Sequence, residues 1–208
     1  TKESEIEHIS IELQNKFSKI DVLINNACNN PKVDNNTEFS KSTRLENFDV
    51  NTWTEDISIG LTGSFICSKV FSLQMKDSKN PLIINISSDL GYIAPDHRIY
   101  NSQLVNFEEM QVKPISYSVI KSGMLGLTKY LSTYWSQSNY NIRSISLVLG
   151  GVLNNQNEEF LEKVTDKIPL GRLANPEDYY GAIVYLCSDS SSYMNGSSVI
   201  IDGGRIIW

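Results

Sequence analysis

Hydrophobic residues recur along this chain with two different periods. Near the start, Ile6, Ile9, Leu13 and Phe17 follow one another at helical spacing, with charged residues between them. Short, nearly continuous apolar runs predict buried strands at residues 21–24, 82–86, 142–149 and 198–201. Helical patterns separate these runs. The sequence therefore predicts helices and strands in alternation.

Start signals and apolar stripes predict the remaining helices. Thr52 and Glu55 have the spacing of a capping box and predict a helix from there to about residue 75. Asn175 followed by Pro176 is typical of a helix start. Another helix is expected around 160–164. The longest is expected to carry one apolar stripe of Ile120, Met124, Leu127, Leu131 and Trp135.

The predicted strands are apolar on both faces, which is typical of a parallel sheet covered by helices on both sides. The fold class is therefore α/β, with a doubly wound parallel sheet. Two long polar connections interrupt the pattern, at about 28–47 and 92–115. Neither is an inter-domain linker, and there is no internal repeat, so a single domain over 1–208 is expected.

Composition narrows the possible partners. The formal net charge of −6 gives no basic surface for nucleic acid or an anionic membrane. No apolar run reaches the ~20 residues of a membrane helix, and no leader-like segment opens the sequence. Cys28, Cys67 and Cys187 lack paired metal-ligand spacing, so no metal site is expected. These features predict a cytoplasmic protein that acts on a small molecule.

The strongest chemical signal is the pair Tyr117 and Lys121. On a helix, residues four apart share one face, so the phenol and the ammonium would meet. A nearby cation favours the phenolate and is expected to lower the pKa of Tyr117. Such a tyrosine can exchange a proton with a substrate hydroxyl or carbonyl. The spacing alone is also found on surface helices, so its meaning depends on the surrounding motifs.

Five motifs in this order resemble the short-chain dehydrogenase/reductase family: Asn25-Asn26-Ala27, Ser87-Ser88, Tyr117-x-x-x-Lys121, Gly150-Gly151 and Asp202-Gly203-Gly204. The resemblance covers essentially the whole chain and implies a Rossmann-like fold that uses NAD or NADP. It implies that Ser88 bonds the reacting oxygen, Tyr117 is the general acid and base, and Lys121 holds the nicotinamide ribose. It places the cofactor along Asn26, Ala27, Gly150, Gly151 and Val152. It also implies a homodimer or homotetramer.

The sequence departs from the family pattern at several positions. There is no glycine-rich dinucleotide fingerprint, so the chain is expected to lack the first βαβαβ portion of the fold and to be truncated at its amino end. Gly60 stands where the family usually has a proton-relay Asn. Leu149 replaces a usual Pro, and Cys28 a usual Gly. The relay is therefore expected to differ or to be weaker.

The second long connection is expected to be a substrate lid, since both its ends lie beside the reacting residues. Within it, His97 and Arg98 are candidates to bind an anionic group of the substrate. In the alternative, Arg98 pairs with Asp96, Glu108 or Glu109 and only holds the loop. The segments 87–96 and 114–117 resemble a subgroup associated with bacterial surface-polysaccharide and flagellin-glycan sugars, which implies an activated or phosphorylated sugar as substrate.

Two other functions remain open from the sequence. One is a non-catalytic relative that acts as a cofactor-sensing or oligomer-forming subunit, which Gly60 and the missing amino-terminal portion favour. The other is an epimerase or dehydratase with tightly held NAD. That class generally carries a further carboxyl-terminal substrate domain, and the sequence ends at Trp208.

Overall fold

The computed structural model describes residues 1–31, 41–101 and 106–208, and it confirms the alternation of helices and strands. Parts of the two long connections, at 32–40 and 102–105, lie outside the described residues. The main elements in chain order are α1 (Glu3–Phe17), β1 (Val22–Asn25), α2 (Val50–Ile57), α3 (Gly63–Met75), β2 (Leu82–Ser88), α4 (Ile115–Ser136), β3 (Arg143–Leu149), α5 (Glu158–Thr165), α6 (Tyr180–Cys187) and β4 (Ser198–Ile201).

The four strands form one parallel sheet in the order β1-β2-β3-β4. Asn25 lies opposite Asn85, and Ser88 lies opposite Leu149. Leu149 in turn lies opposite Ile201. The carboxyl ends of β2, β3 and β4 therefore meet at one edge, which is the edge where open parallel sheets bind their ligands.

Alternate residues of β2 face opposite layers of helices. Ile84 belongs to a buried cluster with Ile145 and with Leu186 of α6. Its neighbour Ile83 lies in a second cluster, with Met75 of α3 and with Leu131 and Trp135 of α4. Both faces of the sheet are thus covered, and the predicted doubly wound α/β arrangement is confirmed.

A chain of buried polar side chains ties the sheet to α4. Asn25 donates through Nδ2 to Asn85 Oδ1 at 2.8 Å, and Asn85 Nδ2 donates to Thr128 Oγ1 at 2.9 Å. Ser146 Oγ and Thr128 Oγ1 are 2.7 Å apart. Buried polar groups are costly unless they are hydrogen-bonded, so this chain of bonds specifies how α4 lies on the sheet.

The start of α2 differs from the sequence prediction. The helix begins at Val50, and its cap is Asp49, whose carboxylate accepts the Thr52 N–H at 3.0 Å. The predicted capping box at Thr52 is therefore wrong, because the acid before it takes the capping role. A π-helical turn, Ser58–Thr62, joins α2 to α3.

Candidate active site

The end of β2 lies directly against the first turns of α4. Ser87 Oγ donates to the Lys121 carbonyl at 2.7 Å, and Ser122 Oγ donates to the Gly91 carbonyl at 3.1 Å. A Cβ on Gly91 would be 2.9 Å from the carbonyl carbon and oxygen of Lys121, closer than real Cβ atoms approach. The glycine three residues after Ser88 is therefore what allows strand end and helix to touch.

This contact brings together the three predicted catalytic residues. Ser88 is the last residue of β2 and is buried, with its Oγ 2.6 Å from Asp89 Oδ1. Lys121 is also buried, and its Nζ donates to the Ile86 carbonyl at 3.0 Å. The same Nζ lies 5.6 Å from the centre of the Tyr117 ring. The phenol, the hydroxyl and the ammonium thus share one space at the sheet edge.

Burial, rather than the neighbouring cation, controls the ionisation of Tyr117. Burial raises the pKa of the phenol to about 12, while a hydrogen bond with Ser88 acts in the opposite direction. The expected lowering of this pKa is therefore wrong for this structure. The physical reason is that a phenolate loses more free energy of hydration on burial than the nearby groups supply by stabilising its charge. Burial likewise lowers the pKa of Lys121, since it disfavours the ammonium.

The residues expected to meet a cofactor lie beyond the ends of β1 and β3. Asn26 and Ala27 are exposed immediately after β1. The turn at Gly150 and Gly151 follows β3. A Cβ on Gly150 would be only 2.8 Å from Asp202 Cα, so the glycine lets the closing Asp202-Gly203-Gly204 turn pack against it. The Gly151 carbonyl accepts the Ala174 N–H at 2.9 Å, which fixes the path of Val152.

These turns leave backbone atoms, small side chains and the Lys121 ammonium along one edge of the sheet, a donor set that suits a ribose and a nicotinamide. The predicted cofactor residues are thus brought to the same edge as the catalytic residues.

Gly60 is buried against α4 and against the turn after β1. A Cβ there would lie 2.7 Å from Ile120 Cγ2 and 3.5 Å from Cys28 Sγ. The two departures at Gly60 and Cys28 are thus neighbours, and Ile120 occupies the space that a relay side chain would need. Gly60 itself offers no side chain through which a proton could be exchanged.

His97 and Arg98 differ in their relation to the site. Arg98 is 77% exposed, and its guanidinium makes two bonds of 2.8 Å to the carboxylate of Asp96. That carboxylate also pairs with Lys167. His97 Nδ1 accepts the backbone N–H of Lys113 at 3.3 Å. The geometry favours the alternative in which Arg98 holds the loop, and binding of substrate by these two residues stays a prediction.

A network around Asp56 supports the site and was not predicted from the sequence. This buried acid of α2 accepts a hydrogen bond from Ser116 Oγ, the residue directly before Tyr117. It also accepts one from Asn29 Nδ2 at 2.8 Å. Asp56 thereby ties the start of α4 to the turn after β1. No sequence pattern around Asp56 indicates this role, because the network joins three segments that are distant in sequence.

Two further charged groups at the site were also missed. Asp89 follows Ser88, and burial raises its pKa. Lys113 lies at the end of the second connection, with its Nζ 4.4 Å from the centre of the Tyr117 ring. In the sequence, only the spacing of four residues between Lys113 and Tyr117 pointed to a contact. That spacing predicts a contact on a helix, but α4 begins at Ile115, so Lys113 lies outside the helix.

Across the described ranges, no group of three or more His, Cys, Asp or Glu side chains is placed to hold a metal ion. Within the same residues, no helix combines the length and the apolar character needed to cross a membrane.

Comparison with known proteins agrees with this geometry. A family profile described as enoyl-(acyl carrier protein) reductase matches residues 1–205. The structure of a short chain dehydrogenase from Leptospira borgpetersenii, with bound NAD+, is 30% identical and superposes with a TM-score of 0.83. That match covers 99% of this chain and 72% of the other. The chain belongs to the short-chain dehydrogenase/reductase family.

Two curated relatives act on polyols or sugar acids. An NADP-dependent mannitol dehydrogenase from Alternaria alternata is 31% identical over 92% of this chain. A 2-dehydro-3-deoxy-D-gluconate 5-dehydrogenase from Dickeya dadantii is 27% identical over 91% of it. The present chain spans 63% and 66% of the length of these two relatives.

Proposed function

We propose that the protein is an NAD(P)-dependent oxidoreductase that interconverts a secondary alcohol and a ketone. The observation that carries this proposal is the meeting of Ser88, Tyr117 and Lys121 where β2 touches α4. Family membership supports it, because the mannitol and gluconate relatives and the Leptospira structure are dehydrogenases.

Each of the three side chains has a role that its surroundings support. Tyr117 is neutral at physiological pH, since its pKa is about 12, and its hydroxyl can therefore donate a proton to a developing alkoxide. Ser88 orients the same oxygen. Its Oγ donates to Asp89 Oδ1 at 2.6 Å and accepts the Leu90 N–H at 3.3 Å, and these bonds fix the position of the hydroxyl. Lys121 holds the ribose, and its charge favours the phenolate that remains after Tyr117 has donated its proton.

The bound nicotinamide would supply or accept the hydride. Asn26 and Ala27 on one side, and Gly150, Gly151 and Val152 on the other, line the sheet edge where it would lie.

The substrate we propose is an activated or phosphorylated sugar of glycan biosynthesis. The polyol and sugar-acid relatives support a hydroxylated substrate. We further propose that residues 1–208 act as one domain, in a cytoplasmic homodimer or homotetramer. Tyr130 and Tyr134 support association, because they stack on each other at 5.9 Å on α4 and are 64% and 60% exposed.

Replacement of Tyr117 by Phe tests the proposed reaction. The change removes one hydroxyl and almost no volume, and we expect turnover to fall by ~10²–10⁴ because the proton donor is lost. NAD(P)H absorbance would be followed in full-length protein with a panel of polyols, sugar acids and sugar phosphates. Tyr193→Phe is the matched control, since Tyr193 is fully exposed. Turnover in Tyr117→Phe equal to that of the wild type would overturn the mechanism.

A non-catalytic, cofactor-sensing subunit is the second candidate. Gly60 favours it, because glycine offers no side chain for a proton relay at that position. Cofactor binding without turnover on any member of the panel would support this function over the first.

A further inference from the structure

A second cation faces the catalytic tyrosine. The Lys113 Nζ lies 4.4 Å from the centre of the Tyr117 ring, closer than the 5.6 Å of Lys121. Lys113 closes the long connection between β2 and α4, and Pro114 fixes the chain immediately after it. Its backbone N–H is held by His97, and its ammonium donates to Asn30 Oδ1. The amine is therefore held at the mouth of the site.

The charge of Lys113 has no counter-ion among the described residues. Arg98 and Lys167, in the same connection and beside it, both pair with Asp96, whereas Lys121 donates to the Ile86 carbonyl. Lys113 forms no such ion pair in the part of the chain described, and its hydrogen-bond acceptor, Asn30, is neutral. The Asp89 carboxylate acts on it only through space.

A partly buried ammonium without an anion is unfavourable, since burial weakens its hydration and the neutral Asn30 amide and the Tyr117 ring replace that hydration only in part. Burial lowers the pKa of Lys113 to about 8, so the amine is still mostly protonated at neutral pH. An anion bound beside the Lys113 ammonium would compensate for the lost hydration and would favour the protonated form of the amine.

The position of the amine indicates where that anion would sit. A substrate whose reacting oxygen meets the Tyr117 hydroxyl would pass beside the ring face under Lys113. Lys121 is already engaged by the Ile86 carbonyl, deeper in the site. Of the two described lysines at the Tyr117 ring, Lys113 is the outer one, and the acceptor of its ammonium is a neutral side-chain amide at the mouth of the site.

We propose that Lys113, with Asn30 beside it, binds a carboxylate or phosphate group carried by a hydroxylated substrate, a few bonds from the carbon that is oxidised or reduced. This proposal rests on the proposed function for the place of the reacting carbon. It assigns substrate charge recognition to the end of the connection, rather than to His97 and Arg98.

Three ligands with related hydroxylated chains test the proposal: D-mannitol, which is neutral, D-gluconate and D-mannitol 1-phosphate. Their dissociation constants would be measured by titration calorimetry on full-length protein saturated with NAD+ or NADP+. We expect the wild type to bind at least one of the two anions about tenfold or more tightly than mannitol, which corresponds to about 1.4 kcal/mol. Preference for gluconate identifies a carboxylate site, and preference for the phosphate ester a phosphate site.

Lys113→Met should reduce the anion preference to less than about twofold and leave mannitol binding unchanged, because it removes the charge and keeps the length of the side chain. Lys113→Arg should keep part of the preference. Lys167→Met is the matched control, because it removes a lysine that is already paired with Asp96. Unchanged mannitol and cofactor affinity in Lys113→Met shows that the variant is folded.

Three results would overturn the proposal: a wild type that does not prefer either anion, an anion preference that persists in Lys113→Met, or an equal loss in Lys167→Met. These failures are distinct from failure of the proposed function. Hydride transfer that depends on Tyr117 would survive all three, whereas retained turnover in Tyr117→Phe would leave the anion preference untouched.

Discussion

The two ends of the path from Ser88 to Tyr117 are built very differently from its middle. At the ends, a strand and a helix are in direct contact, and Ser88 and Lys121 are buried. In the middle, short 3-10 turns follow one another, such as His97–Tyr100, and Arg98 is 77% exposed. The chemistry is placed on the rigid elements. The connection has the surface character that suits recognition of a variable substrate.

The connection is nevertheless anchored at several points. The buried Arg44 donates to the carbonyls of Phe107 and Met110, the second at 3.2 Å. Tyr100 stacks on Phe160 of α5 with ring centres 5.6 Å apart. These contacts come from segments far away in sequence. The described parts of the connection are thus anchored by tertiary contacts, and the local sequence pattern does not reveal these partners.

Lys121→Ala should have a larger effect than any change in the connection, because it removes the cation of the rigid end. We expect turnover to fall by about 100-fold or more, and NAD(P)H affinity to fall with it, since one side chain serves both tasks. Fluorescence titration of NAD(P)H and steady-state rates would be compared with Lys129→Ala, an exposed lysine on the same helix. If the rate falls but the affinity for NAD(P)H does not, Lys121 takes part in the proton transfer and does not bind the cofactor.

The same contrast explains what the sequence could predict. The strand ends, the apolar stripe of α4 and the spacing of Tyr117 and Lys121 are local patterns, and the structure places them as expected. The pKa of Tyr117 was predicted in the wrong direction, because the extent of burial depends on the tertiary fold. Lys113 and Asp56 were missed for a related reason: their partners lie on segments distant in sequence.

The stability of Lys113→Met should depend on pH. The folded-state pKa of about 8 lies below the ordinary value of 10.5, so the charged amine destabilises the folded protein below pH 8. This penalty shrinks as the pH rises from the folded value toward the unfolded one. We therefore expect the variant to gain about 2–4 °C in Tm over the wild type near neutral pH, for a gain of about 1 kcal/mol, and to lose that gain near the ordinary lysine pKa.

Differential scanning calorimetry of both proteins at the two pH values checks this expectation, and the difference between them removes effects of other titrating groups. A Tm difference that does not change with pH would mean that the amine is well solvated, and it would weaken the case for an uncompensated charge at the mouth of the site.

Arg98→Ala should have the smallest effect, and it separates the two hypotheses for the connection. Because the guanidinium is exposed and its two hydrogen bonds go to Asp96, its removal should loosen the loop without changing the charge that meets the substrate. Exposed ion pairs contribute ~0.2–1 kcal/mol, so we expect the affinities for D-gluconate and D-mannitol to fall together by less than about fivefold. The calorimetric titrations used for Lys113→Met measure both. A loss confined to gluconate would instead show that Arg98 meets the anionic group, because loop loosening acts on both ligands alike. The partner of Asp96 would then be Lys167 alone, and the exposed middle of the connection, rather than its anchored end, would recognise the substrate.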